Sequence, residues 1–451
     1  MSAAASDLAA GVIGEVAADP RARLMAAPMS RFQWMAVAIT VALCALDGFD
    51  VLAITFAAPA IAAGWGITKA GLGWVFSAGL LGMAGGSFFL APLADVIGRR
   101  PLVLVSLAIM AVGSFVAASA GGIPLLLTAR LCTGVGVGAM IATINPLGAE
   151  YANERRREVA LSVLNIGYPL GGVVGGFVAA LLLPHLGWRA IFLTGGVLDV
   201  TMFVVAIALL PEPLAFLLAR PRPGSLARAN AYLRRCGHAP VTELPPAALR
   251  QAAPTIQLFR GGMAALTLQV TAIYLLYVIS MFFMQNWLPT LVTDRGYTPA
   301  QGATVSMLMS IGGIAGGLFV GAAAGRLGLK AVVVGAMLLA ACFIAVFGLT
   351  PRDLLLLSVG AVVVGVALFG GMIGLYSVIS RTFPVGMRAS GTGLVIGIGR
   401  LGSVTSPIVA GALFTAGLAA GAVSAVMAVP ALVAGILLLR FRVGAGERMT
   451  G

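Results

Sequence analysis

Apolar residues in this chain come in long runs separated by short breaks rich in charge, proline or glycine. A helix needs about 20 predominantly apolar residues to cross a bilayer. Twelve runs reach that length, at approximately 33–62, 70–94, 101–121, 124–149, 158–184, 188–210, 262–291, 299–325, 329–349, 353–382, 387–416 and 418–441. The segment from Arg220 to Arg260 is rich in proline and arginine and holds no such run, so it parts the spans into six and six. The pattern predicts an all-α membrane protein of twelve transmembrane helices in two six-helix halves. The expected organisation is a tail over 1–31, a first half over 32–210, a linker over 211–261, a second half over 262–441 and a tail over 442–451.

Composition agrees. Of 451 residues 60% are hydrophobic and 10% charged, and mean hydropathy is +1.04, more apolar surface than a water-soluble domain could cover. The net charge of +13 could suggest a polyanionic partner, but the placement of the basic residues explains it without one. With the N-terminus inside, cytoplasmic segments hold 22 of the 28 Lys and Arg, whereas external loops hold Lys69, Arg189, Arg295 and Arg352. Basic loops face the cytoplasm, so both termini are expected there, and no nucleic-acid partner is expected. No apolar run precedes Phe32, so a cleaved signal peptide is not expected. Cys44, Cys132, Cys236 and Cys342 are scattered, His185 and His238 sit in loop-like contexts, and no phosphate loop or metal cluster stands out. The chain is therefore expected to have no catalytic residues, metal or cofactor, and not to be an enzyme.

The two halves repeat one another. Adding 230 to Gly82, Gly86, Phe89, Ala94 and Gly98 reaches Gly312, Gly316, Phe319, Ala324 and Gly328, and Arg100 meets Lys330. With an offset of 231, Gly134 meets Gly365 and Arg157 meets Arg388. Two homologous halves around a midplane site is the architecture of alternating-access carriers.

Charges inside the spans are the candidate chemistry. Asp47 and Asp50, in Asp47-Gly48-Phe49-Asp50, are the only charged residues between Phe32 and Thr68, and at spacing i, i+3 they share a helix face. Carboxylates at that depth usually face a polar cavity and function there. They are candidate proton-coupling groups, the competing reading being a structural hydrogen-bonded pair. Arg400 lies deep in the eleventh span between glycines, where a planar guanidinium can seat a carboxylate with two parallel hydrogen bonds; a structural ion pair with an acid of the other half is the alternative. Arg130, nearer the outer end of the fourth span, is a second candidate for substrate or for pairing with an acid, and it could also snorkel to the surface. Glu150 is either a further proton-handling group or the start of a charged loop, and Asp199 has no evident partner. Asn286 is a candidate substrate-binding amide, whereas Trp287 beside it is expected to be an interfacial anchor.

Between the second and third spans stands Ala91-Pro92-Leu93-Ala94-Asp95-Val96-Ile97-Gly98-Arg99-Arg100. Asp95, Gly98, Arg99 and Arg100 match the signature of the major facilitator superfamily, which the chain resembles from Phe32 to Arg442; Ala91 and Val96 depart from it. The second half keeps Arg326 and its glycines but has Gly325 where the acid would be. The resemblance implies the major facilitator fold, with Asp95, Gly98, Arg99, Arg100 and Arg388 as a conformational latch. The fifth span, Asn165-Ile166-Gly167-Tyr168-Pro169-Leu170-Gly171-Gly172, only partly matches the drug-antiporter motif, since Tyr168 replaces a glycine. Asp47 and Asp50 with Arg130, Glu150, Arg388 and Arg400 are similar to the aromatic acid:proton symporter family. That resemblance implies uptake of a benzoate- or hydroxybenzoate-type anion with protons through the inner membrane of a bacterium, by a protein expected to be monomeric. Rival expectations are a symporter for sugar acids or other organic anions, a drug:proton antiporter, and a membrane receptor or scaffold that transports nothing.

Overall fold

The computed structural model describes residues 20–219, 222–244, 255–260, 262–384 and 386–441, and among them no residue lies in a strand. Among the described residues twelve helices are long and apolar enough to cross a membrane. In the first half these are α1 (Arg31–Trp65), α2 (Lys69–Gly85), α3 (Arg99–Ala118), α4 (Ile123–Tyr151), α5 (Arg157–Leu186) and α6 (Arg189–Leu209). The second half comprises α7 (Gly262–Thr293), α8 (Pro299–Leu327), α9 (Leu329–Leu349), α10 (Leu354–Thr382), α11 (Arg388–Thr415) and α12 (Ala420–Arg440). A π-helical turn and a short 3-10 turn carry α2 on to Ile97. Helix starts follow local chemistry: Ser30 with Gln33 and Thr298 with Gln301 form reciprocal capping boxes that satisfy the first free N–H groups of α1 and α8.

Each packing pair of the first half recurs in the second with every helix number raised by six. Thus α1 packs on α5 as α7 does on α11, α2 on α4 as α8 on α10, and α3 on α6 as α9 on α12. The glycine repeat explains part of this. In a membrane, close helix pairs depend on small residues that let backbones touch. A Cβ on Gly82 or Gly86 would collide with the carbonyls of Leu131 and Val135, and one on Gly312 or Gly316 with those of Val362 and Val366. Gly98 and Gly328, which start α3 and α9, have φ of +114° and +82°, a region costly for any residue with a Cβ.

Between halves, α2 meets α11 and α5 meets α8, with α7 leaning on α1. At the end away from the termini this contact is tight. Lys69 bonds Asp294 at 2.6 Å, the amide of Ala70 donates to Thr415 Oγ1 at 3.0 Å, and Trp287 packs against Phe76 and Phe414 with ring centroids 5.4 and 5.0 Å away. Trp287 is fully buried in this seal. The expectation of an interfacial anchor is therefore corrected: α7 lies at the contact between halves, where an indole fills space rather than meeting headgroups. The linker contains a helix, Ser225–Arg235, whose Tyr232 and Leu233 pack under α1.

Candidate substrate cavity and buried charges

Below the seal the halves part around a cavity of about 490 Å³, within the size range of small-molecule sites. Its wall reaches from Gln285, Tyr274 and Arg400 near the centre of the bundle to Asn145, Asn165 and Thr392 toward the end that carries the termini. The lining is mainly apolar and aromatic, with Phe282, Phe369, Tyr168, Tyr274 and Tyr376 among its rings. Tyr274 and Tyr376 lie with centroids 6.0 Å apart and hydroxyls 3.5 Å apart. A Cβ on Gly399 would strike the Tyr274 ring, so the glycine before Arg400 lets that ring press against α11.

Arg400 is half-buried on this wall. Its guanidinium enters no hydrogen bond or ion pair among the described residues, and the charges it acts on include Asp47 of the other half. Asp47 is fully buried, and neither carboxylate oxygen has a hydrogen-bond partner among the described residues. Gln285, one residue from the expected Asn286, lines the cavity with both ends of its buried amide unpartnered. A cation, an amide and aromatic rings around open space are what a planar aromatic acid would contact.

Arg130 and Asn286, expected at the substrate, are not on this wall. Both border a separate, much smaller void beside Phe76. Arg130 turns into the first half, donating from Nη2 to the main-chain oxygen of Asp50 at 2.9 Å and lying over Phe192 at 5.8 Å. Asn286 donates to the Phe282 carbonyl at 2.7 Å and faces Thr55. Rotation of about 100° per helical residue explains the exchange on α7: Gln285 points to the cavity and Asn286 away.

Neither Asp47 nor Asp50, which is also fully buried, lines the cavity. The Asp50 side chain lies beside Asp199 on α6, with Oδ1 against Gly195 one turn earlier, and Ser114 Oγ is 3.4 Å from Asp199 Oδ2. Here is the partner of Asp199 that sequence reasoning lacked. No local signal reveals it, because 149 residues separate the two acids.

Toward the terminus-bearing end, Arg99 forms an ion pair with Glu150, and Arg100 Nη2 donates to the carbonyl of Ile207 at 2.6 Å. Of the expected latch acids, Asp95 is exposed. The acid on the free amides that begin α3 is instead Glu212, which accepts from Arg99 N at 2.8 Å; sequence reasoning passed it over as linker. Burial pushes the Glu212 carboxyl above the usual glutamate range, partly offset by the Arg99 and Arg100 backbone amides. Arg388 begins α11, the counterpart in the second half of Arg157 at the start of α5.

The Major Facilitator Superfamily model matches residues 39–350 and 270–448. A gallate transporter of Pseudomonas putida is 31% identical over 415 residues, covering 91% of this chain and 92% of its own length. The 4-hydroxybenzoate transporter PcaK of Pseudomonas aeruginosa is 32% identical, covering 86% and 87%. Among solved structures, the inward-open xylose transporter XylE from E. coli superposes with a TM-score of 0.69 at 14% identity, over 91% of this chain and 96% of that one, which bears on the fold alone. The chain belongs to the Major Facilitator Superfamily and is a membrane transporter, not an enzyme.

Proposed function

We propose that this protein imports small aromatic carboxylates with protons across the inner membrane of a bacterium, by alternating access. The observation that carries the reading is Arg400: a cation without a hydrogen-bonding partner among the described residues, on the wall of a ring-lined cavity, with the unpartnered carboxylate of Asp47 as its electrostatic neighbour. Gallate and 4-hydroxybenzoate transporters as relatives support the substrate class.

The chemistry follows from charge. When Asp47 is ionised in the empty site, Arg400 compensates part of its charge. A substrate carboxylate that takes the guanidinium withdraws that compensation, and a proton on Asp47 restores neutrality. Substrate and proton therefore favour each other's binding. With the termini in the cytoplasm, a cavity lined toward the terminus-bearing end and sealed by Lys69–Asp294 and Trp287 corresponds to the inward-facing state of such a cycle. Arg99–Glu150, Arg100 and Arg388 near the inner ends of their helices fit a latch that reorganises as the halves rock. Glu150 then acts through Arg99 rather than as a proton carrier in the cavity.

Purified protein in liposomes, offered labelled 4-hydroxybenzoate with an inward proton gradient, should accumulate it, with competition by benzoate and gallate but not by gluconate or the methyl ester. Competition by gluconate equal to that by benzoate would favour a general organic-anion carrier, and outward movement of a neutral drug would favour an exporter.

A further inference from the structure

The mechanism above leaves three buried charged groups of the first half unused: Asp50 on α1, Asp199 on α6 and Arg130 on α4. Their arrangement is specific. Gly195 lies one turn before Asp199, and a Cβ there would come within 2.9 Å of Asp50 Oδ1, so this glycine clears the space that lets the Asp50 carboxylate reach α6. The two acid side chains adjoin: the same Cβ position is 3.7 Å from Ser114 Oγ, which lies 3.4 Å from Asp199 Oδ2. Two ionised carboxylates adjoining in an apolar interior repel, and one proton held between them relieves that repulsion. With one shared proton, Asp50 and Asp199 together carry a single negative charge, and Arg130, which donates to the Asp50 main chain and acts electrostatically on both acids, balances it. Without that proton the cluster carries a net negative charge inside an apolar bundle; with two it is net positive. The charged and titratable groups facing Asp199 are Asp47 and Asp50 from α1 and Arg130 from α4, with the Ser114 hydroxyl from α3 on its Oδ2.

We infer that Asp199 is a proton-carrying residue of the transport cycle, holding one proton jointly with Asp50 against the fixed charge of Arg130. Asp47, one turn before Asp50 on the same face of α1, interacts electrostatically with Arg400 on the cavity wall and with Asp199. A proton entering at Asp47 is thereby passed to a site that the substrate does not touch. This inference rests on proton coupling as proposed above and adds a second, interior station to it.

The test is Asp199→Asn, whose amide still donates to Asp50 but cannot hold a transferable proton. In unbuffered detergent solution with a pH dye, wild type should take up protons when 4-hydroxybenzoate binds, and the variant should take up fewer. In liposomes the variant should lose accumulation driven by a pH gradient, Asp199→Glu should restore it, and counterflow, which needs no net proton movement, distinguishes this loss from failure to fold. Should Asp199→Asn not fold, Gly195→Ala decides: it keeps all three charges but pushes the Asp50 carboxylate off α6, and the pH profile of uptake should shift. If wild type itself shows no proton dependence, the symport reading fails. If wild type is proton-driven and Asp199→Asn, or Gly195→Ala in its place, keeps the wild-type proton uptake and pH profile, the interior station is refuted while symport stands.

Discussion

Replacing Arg400 by alanine removes the charge on which the proposed site depends. Arg400 is half-buried, faces a cavity of about 490 Å³ and spends no hydrogen bond on the described protein, so its donors are free for a ligand. A hydrogen bond to a charged group contributes about 1.5 to 3 kcal/mol, which corresponds to a roughly ten- to hundred-fold weaker Kd for the acid. Truncation leaves Asp47 without the cation that acts on it, so part of the effect will appear as tighter proton binding in the empty protein. Arg400→Lys keeps the charge but loses the planar pair of donors, and its Kd should lie between wild type and Arg400→Ala. Calorimetric titration of detergent-purified protein with 4-hydroxybenzoate and with its methyl ester separates charge from ring contacts. Wild type should favour the acid, and Arg400→Ala should bind acid and ester about equally. An undiminished preference for the acid in Arg400→Ala would refute the assignment and return attention to Arg130.

Three further outcomes follow from the same geometry. Asp47→Asn should insert normally yet fail to accumulate substrate under a pH gradient in liposomes, since an amide keeps the shape but cannot titrate; accumulation at the wild-type rate would remove Asp47 from coupling. Glu212 binds more protons folded than unfolded just above the ordinary glutamate pKa, because burial raises it, so its contribution makes stability fall as pH rises through that window. Thermal unfolding of Glu212→Gln in detergent across that range should be flatter with pH than wild type, and an equal slope would contradict the burial argument. At the opposite end, Asp294→Asn breaks the pair with Lys69, whose side chains are 32% and 37% exposed, so the gain in opening should stay within about 1 kcal/mol; labelling of a cysteine placed at Phe414 should rise modestly and not at all if the pair is idle.

Most of the fold was legible in the sequence because a bilayer demands long apolar runs, and the repeat of Gly82 and Gly86 in Gly312 and Gly316 reports a packing requirement that both halves share. Arg400 was legible too, since its depth in α11 leaves it no route to water along its own helix. What could not be read were relations between distant helices. Whether Gln285 or Asn286 faced the cavity depends on the rotation of α7, which its uniformly apolar sequence does not set. The sequence makes Arg130 a candidate for substrate or an acid; it bonds the Asp50 backbone, because α4 turns that face toward α1 and α6. Glu212, between two prolines after α6, looked like linker until the chain folded back on the start of α3.

The most direct test of the account follows acid and proton together. In weakly buffered proteoliposomes, addition of 4-hydroxybenzoate should alkalinise the medium in step with uptake of label, beyond the signal of protein-free vesicles, and a protonophore should abolish accumulation. Uptake of label at an undiminished level with no accompanying pH change would contradict proton-coupled import.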